Sequence, residues 1–600
     1  MSQSMTHTSA APSQVSSPRV RVAPASQRAP VAGERGRRTG GRLGALLVAL
    51  MALWVSGQLV AGCRCDARKF LSRLRGGDEA SSVAGTPLSL PRPTPPPVVT
   101  GHPRLWLTAA ELPRLRTWAV PSNPLYAEGL GRAIADARAD YDAGKVPSDG
   151  ECVVAGIYCE QYALLFAFES LLAQDEAARR DAATRARNIL MTLIERALQG
   201  SPKDPLRDAR FSIHNRSRWS GEALPLTVDW IYWLLTPAEK AEIRKVFLRW
   251  AEQQLRATAT GMDHPEPVGL LQDARLIQDV RQRRYGANNY FAAHLRNLTL
   301  MSLALDASDD PAEPRAARAY PRLRDYLSNA VGAWLYVSDA TLRQDAEGGI
   351  SPEGYQYAGR SLAFLLQTYL ALETAGEAEA GRFGPQTVRA LNPFWQQLVP
   401  AYLASLSPGR VKSPRTGRSV YQPAWFGDAE AFELFDYIDV FAPLALSAER
   451  HQERGLLEAI RWLQLHTPAG GTDSLMRRAR GDGTSFRQAI FYFLLYPPDA
   501  PPPRDPRAGL PTWHVAPGTG QLLARTSWAE DASLMHFQCG WAMIDHQHGD
   551  AGSFSWWRRG EWLTKERVGY GPYFERSEQH NTLAIANERP QHAEDERRGG

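Results

Sequence analysis

Near its carboxy-terminal end the chain reads His546-Gln547-His548-Gly549-Asp550-Ala551-Gly552-Ser553-Phe554, then Gly560-Glu561-Trp562-Leu563, then Glu578-Gln579-His580-Asn581-Thr582. Two histidines one residue apart point the same way on extended backbone, because side chains alternate with period two. His580 and the acidic Glu566 follow within the same β-like region. Imidazole can act as base, acid or metal ligand, so this is the densest chemistry in the sequence. The plainer alternative is a polar loop whose histidines only bond backbone.

Three other stretches carry reactive types. Asn288-Asn289-Tyr290 opens the helical run FAAHLRNLTLMSLAL. Asparagine there is a natural helix cap, and its amide is also suited to binding a carboxylate. Ser351-Pro352-Glu353-Gly354-Tyr355-Gln356-Tyr357 is a sound helix start, with Ser351 as cap and Pro352 in the first turn. Asp345, Glu347 and Glu353 nearby form the acidic cluster that a glycoside hydrolase would use, or a solvated loop. His214-Asn215-Arg216-Ser217-Arg218-Trp219 places two arginines beside an aromatic. Arg216 and Arg218 could dock an anionic sugar there, since guanidinium matches carboxylate and sulfate geometry.

Helix signals dominate the elements that must position these residues. Thr108-Ala109-Ala110-Glu111 and Thr236-Pro237-Ala238-Glu239 are capping boxes. After the second, Ile243, Val246, Phe247 and Trp250 share one face by the three-four spacing. Comparable runs fall at about 125–141, 160–174, 179–198, 221–235, 288–306, 317–338, 355–375, 387–406, 430–446, 453–465 and 484–495. Strand alternation is nearly absent before residue 510. The Pro- and Gly-rich stretch 496–511 reads as a linker. Beyond it GQLLARTSW, SLMHFQCGWAMI, GSFSWWRRGEWLT and NTLAIAN read as strands, with Arg559-Gly560 as a hairpin turn. Residues 588–600 are charged and bring no closing strand, so a truncated β domain with an exposed edge is expected.

Six hundred residues exceed what one core usually organises, so two folded domains, 102–495 and 512–600, are expected. The net charge of +5 misleads: seven arginines against Glu34 put +6 on residues 1–42, leaving −1 for everything else. A nucleic-acid protein would carry its charge on the folded part, so no nucleic-acid partner is expected. Residues 1–42 read as a disordered basic arm. Leu43–Ala61 is an apolar run, and Val60-Ala61-Gly62-Cys63 closes it like a lipobox, with Cys63 as the lipidated residue. An uncleaved membrane helix is the alternative, as the run approaches the roughly 20 residues that a span needs. Either way the body is expected to be exported to a bacterial cell envelope, as a periplasmic or outer-membrane lipoprotein or held at the inner membrane. A proline-rich tether, 64–101, follows. Cys152 and Cys159 are close enough to close a small loop, and export permits a disulfide.

The order of these motifs resembles the heparinase II/III-like polysaccharide lyases, with relatives acting on alginate. The residues that carry the resemblance are His102-Pro103-Arg104-Leu105 with Leu107-Thr108, Gly286-Ala287-Asn288-Asn289-Tyr290-Phe291, Gly348 to Tyr357, the histidine stretch and His580-Asn581-Thr582. It implies an α+β multidomain chain, an incomplete (α/α) toroid followed by an antiparallel β-sandwich. It implies a lyase that cleaves acidic polysaccharide by β-elimination. Tyr357 matches the family's catalytic tyrosine, its neighbour Tyr355 is expected to contact substrate, and His546 is the acid–base partner. Asn288 and Asn289 match the pair that binds the carboxylate. Tyr290 stands where the family has histidine, a departure that leaves a base or a substrate contact to tyrosine. His548, Glu566 and His580 match metal-associated positions, usually His, Asp and His, which suit zinc. A toroid hydrolase and a catalytically silent glycan-binding lipoprotein are the competing readings.

Overall fold

A computed structural model describes residues 101–583, apart from 202, 209–210, 257–273, 315–318, 414–415, 430–435, 482–484, 545, 567 and 571–573. Cys63 and the apolar run before it lie outside the described residues, as does most of the expected strand NTLAIAN. All the described residues fall in one compact unit. None of their helices is long and apolar enough to cross a membrane.

The described chain is mostly helical, and its helices are of two kinds. Glu176–Gln199 buries a single stripe through Ala182, Ala186, Ile189, Leu193 and Ala197. Its opposite side carries charge, as one-sided packing requires. Pro237–Arg256 begins on the expected capping box. Its Thr236 N–H donates to Glu239 Oε2 at 2.8 Å and its Glu239 N–H returns to Thr236 Oγ1 at 3.3 Å. Cys159–Leu172 and Asn289–Leu303, by contrast, are buried nearly all round, so other helices must pack on every side of them. Contacts run from Cys159–Leu172 to Ala223–Trp230, to Asn289–Leu303, to Gly354–Thr374, to Ile438–Arg450, to Phe486–Leu495, and back to Cys159–Leu172. The Cys152–Cys159 disulfide joins the start of the first of these helices to a short β ribbon, and Cys539 forms no disulfide among the described residues.

Two expected helices are interrupted. The run 317–338 becomes Leu323–Asn329, a π turn at Ala330–Trp334, and Leu335–Gln344. The run 387–406 starts only at Phe394, where Asn392 Oδ1 accepts the Phe394 N–H at 3.1 Å and caps the helix.

The last helix ends at Leu495 and the first strand of the terminal sheet begins at Trp513. Five antiparallel strands follow in simple sequence order: Trp513–Ala516, Gln521–Arg525, Leu534–Gln538, Phe554–Arg558 and Glu561–Thr564. Arg559 and Gly560 both take positive φ, as the predicted two-residue hairpin needs. A single sheet therefore stands, among the described residues, where a sandwich was expected. Its inner face buries Leu523, Leu534 and Trp557. Its other face carries the registered row Trp513, Ala524, Met535 and Trp556, of which Trp513 and Trp556 are exposed. Asn581–Leu583 forms no strand. The Asn581 side chain accepts from Phe554 N–H at 3.0 Å and donates to its carbonyl at 2.6 Å, taking the place of a paired backbone unit.

The sheet is docked on the helices by specific polar contacts. Arg525 donates to the carbonyls of Ala404 (2.6 Å) and Leu406 (2.8 Å), the orphan acceptors at the end of Phe394–Ser405. Gly348, with φ +97°, lies so close to the sheet that a Cβ there would sit 2.3 Å from Ala516 Cα. The Gly348-Gly349 pair thus serves close approach of backbone to backbone.

Candidate active site

The site forms where a helix start, a helical-body loop and the histidine stretch converge. Gly354–Thr374 begins with Gly354 at φ +73°, beneath a buried Glu353 that accepts the Ser361 hydroxyl at 2.6 Å. Tyr355 and Tyr357 are two residues apart on this helix, about 200° around its axis. Tyr355 turns inward against Tyr402, Trp425 and Phe426, and burial pushes its hydroxyl well above the usual phenol range. It is core, not a substrate contact, which corrects the expectation for it. Tyr357 turns outward and is half-buried.

The Tyr357 ring lies flat on the His546 imidazole, with centroids 3.5 Å apart and planes 12° apart. Exposed Tyr570 flanks both rings at 6.2 and 6.0 Å. His546 holds φ +67°, and its carbonyl accepts the Asp428 N–H at 3.0 Å. Gly427, just before, must lack a side chain, because a Cβ there would meet that carbonyl at 2.6 Å. The Asp428 carboxylate then bridges both histidines, with Oδ2 2.8 Å from His546 Nδ1 and Oδ1 2.9 Å from His548 Nε2. Burial raises the Asp428 carboxyl, but the bonds and charges of the two imidazoles outweigh it and hold it below the ordinary carboxylate value. Asp428 is a residue that carries no signal in the sequence, 118 and 120 positions from the histidines it holds.

Behind this pair lies a group with metal-ligand geometry. Donor atoms of His548, Asp550 and His580 lie within 4.8 Å of one another, all buried. His548 Nδ1 and Asp550 Oδ2 have no hydrogen-bond partner among the described residues, so two buried donors point at an unmet requirement. Asp550, not Glu566, completes the set. Glu566 Oε1 lies 2.8 Å from His580 Nδ1, which makes it the orienting partner of a ligand. His580 Nε2 meets the Phe574 carbonyl at 2.9 Å, so an ion would take one of its two contacts. Burial raises the Asp550 carboxyl to about 6 against the pull of His580 and His548. Burial lowers His580, but the bond and charge of Glu566 outweigh it and leave it raised. A small polar cavity adjoins, lined by Pro352 and Phe426 from the helical body and by Thr519, Gln538, His548 and Asp550 from the sheet side.

The remaining expected residues divide. Asn288 Oδ1 caps its helix, accepting from Tyr290 N–H (2.9 Å) and Phe291 N–H (3.4 Å), so only its amide nitrogen could serve a ligand. Asn289 is wholly buried and its Oδ1 accepts from Arg218 Nη1 at 2.6 Å, so its oxygen positions an arginine. Tyr290 donates its hydroxyl to Asn215 Oδ1 at 2.7 Å, under the Arg218 guanidinium 4.1 Å from its ring centre. Arg216 is locked in a buried pair with Glu160 at 2.9 and 2.8 Å and donates to the Glu151 carbonyl. Both of its donor edges are thereby used within the fold, which corrects the expectation that it docks a sugar. His294 packs beside Trp334 and Tyr290. Of the acidic cluster, Asp345 is held by Arg283 at 2.6 Å and Arg284 at 3.1 Å, and Glu353 is buried and accepts the Ser361 hydroxyl.

No family model matches this chain, and no curated protein does. Among solved structures, a mutant of the heparan sulfate lyase HepC from Pedobacter heparinus is 13% identical, with a TM-score of 0.38 over 75% of this chain and 60% of that one. The chain thus spans about 60% of the length of that lyase. HepC itself is 13% identical, with a TM-score of 0.30 over 80% of this chain and 69% of its own. A heparinase III, the BT4657 gene product, is 12% identical, with a TM-score of 0.30 over 79% of this chain and 70% of its own.

Proposed function

We propose that this protein is a polysaccharide lyase that cleaves a uronic-acid-containing polymer by β-elimination. The observation that carries the reading is the contact of Tyr357 with His546, two proton-transfer groups 189 positions apart brought face to face and backed by Asp428. In such a reaction the C5 proton leaves to a base, negative charge builds on the adjacent carboxylate, and an acid protonates the departing glycosidic oxygen. Tyr357 and His546 take the base and acid roles, and the C5 configuration of the substrate decides which takes which. Asp428 holds His546 Nδ1 and so sets its tautomer and ring plane, the part a third residue plays beside an acid–base histidine. The Asn288 amide nitrogen is a donor for the carboxylate.

The cyclic order of helix contacts supports reading the helical body as an (α/α) toroid, with the sheet as part of a β-sandwich closing one side of its groove. The buried donor set of His548, Asp550 and His580 fits zinc, with Glu566 and Asp428 as orienting partners. Bound there, zinc would brace the histidine stretch from behind Tyr357 and His546. The arginine-flanked apolar run ending at Cys63 supports export and a lipid anchor.

The test is to incubate the purified protein with alginate, heparan sulfate, chondroitin and hyaluronan and to follow the absorbance of the unsaturated product. Product on at least one polyuronate is expected. A folded protein that yields none on any of the four overturns the reading, and reducing ends without the chromophore would make it a hydrolase.

A further inference from the structure

The sugar that undergoes elimination carries a carboxylate, and its recognition group has so far been a single amide. Another group lies beside the Tyr357 ring. Arg360 follows Tyr357 by three residues on Gly354–Thr374, the spacing that puts two side chains on one helix face. Its guanidinium carbon is 5.1 Å from the Tyr357 ring centre and 4.5 Å from that of Trp219. Trp219 in turn lies 4.7 Å from the Arg218 guanidinium, which covers Tyr290. An alternating series results: Tyr290, Arg218, Trp219, Arg360, Tyr357, His546.

The two arginines in the series differ. Arg218 is buried and donates to Asn289. Arg360 is only half-buried and, among the described residues, donates no hydrogen bond and meets no carboxylate. Three buried arginines of the body, Arg216, Arg296 and Arg487, are by contrast each paired with an acid. A guanidinium held edge-out by two rings keeps its planar fork of donors for a planar acceptor with two oxygens, which is a carboxylate.

We infer that Arg360 is the substrate-binding residue that receives the uronate carboxylate of the sugar lying against Tyr357 and His546. The inference rests on the lyase reading and names its anion-recognition group. Trp219 and Tyr357 hold the guanidinium plane, and the charge that gathers on the carboxylate as the C5 proton leaves falls next to a fixed positive charge.

The experiment uses the full chain with Tyr357→Phe, to stop turnover, and measures binding of a defined alginate oligosaccharide and of its carboxyl-reduced, neutral counterpart by calorimetry. Arg360→Met is expected to weaken binding of the acidic oligosaccharide by at least about tenfold and to leave the neutral one unchanged. Arg360→Lys, which keeps the charge but not the fork, should recover only part of the loss. Far-UV circular dichroism and Tm of both variants should match the parent, and Arg360→Lys serves should Arg360→Met not fold. Equal affinity of parent and both variants for the acidic oligosaccharide overturns the inference, as does an equal loss for the neutral one. Unsaturated product from the Tyr357-containing protein reports separately on the lyase reading. Product that Arg360→Met leaves undiminished removes Arg360 alone, carboxylate-selective binding without product removes the lyase alone, and no binding by the parent together with no product from any of the four polymers removes both.

Discussion

Glu222 and Asp428 are both buried carboxylates that bridge two nitrogen-bearing side chains or more, yet they do opposite things. Glu222, deep in the helical body, sits between Arg296 Nη1 at 3.1 Å and Arg487, and accepts Gln161 Nε2 at 3.0 Å. Burial raises it, but Arg487 and Arg296 outweigh burial and hold it below the usual carboxylate value. Every partner there is permanently charged or amide, so nothing in the cluster can exchange a proton near neutral pH. Asp428 shows the same balance of burial against partners, but its partners are imidazoles at the join of helices and sheet. One cluster ties helices together; the other steadies groups that can still react. A buried charge marks a functional site only when what it holds can titrate or reach a ligand.

That contrast is broken most severely by a variant that abolishes chemistry without touching stability. Tyr357→Phe keeps the ring stacked on His546 and removes only the hydroxyl. Turnover of a polyuronate is expected to fall by about 10²–10⁴-fold, the usual worth of a proton-transfer group, with Tm unchanged. Full activity in the absorbance assay would take Tyr357 out of the reaction.

The opposite variant should move stability and leave the join intact. Glu222→Gln strands Arg296, which is wholly inaccessible, as a buried charge with no ion-pair partner, while Arg487 keeps Asp439 at 3.1 Å. A loss of about 3–5 kcal/mol in denaturant unfolding is expected, as for other broken buried pairs. Retention of wild-type stability would show that water reaches the cluster and the contrast is false.

The terminal sheet offers a pH test of its docking. His536 is buried, lies 3.1 Å from Gln521 Oε1 and is lowered by burial to about 4. The folded state keeps the ring neutral while the unfolded chain protonates below its ordinary value of about 6.5. The sign is therefore that of a depressed histidine: stability is whole above pH 6.5 and falls as pH drops toward 4, by about 3 kcal/mol over the window. His536→Gln should flatten that slope in Tm measured from pH 7 to 4. Parallel curves for the two proteins would mean that the ring is hydrated.

How much of this was legible in the sequence depends on separation along the chain. The capping boxes, the helix runs and the Arg559-Gly560 turn are local and could be read directly. The facing of Tyr355 and Tyr357 could have been read too, since two residues on a helix diverge by about 200°. Arg360 was available by its three-residue spacing from Tyr357, but an arginine on a helix reads as surface until Trp219 arrives from another element. Gly348 entered only as part of the stretch that carries the resemblance; the sheet, at 2.3 Å from a notional Cβ, shows that it is a docking surface. Asp428 had no local signal at all, being 118 and 120 residues from the histidines it holds. Asp550 was within reach, two residues after His548, but the resemblance drew attention to Glu566.

Asp428→Asn is the finest probe of the comparison, because it keeps size and removes only charge. An asparagine can still bond one imidazole, but it can neither bridge both as an acceptor nor stabilise a protonated His546. If Asp428 orients a ligand as well as an acid–base group, zinc affinity should fall by about 10–100-fold, the range for lost orienting partners of metal histidines. Competition with a chelator and metal analysis of the isolated protein measure that without reference to activity. Turnover should fall with it, and Tm in excess zinc should change little, since no permanent charge is left buried alone. Zinc affinity equal to that of the parent would confine Asp428 to His546. Loss of folding instead would place Asp428 with Glu222, as a tie between helices and sheet and nothing more.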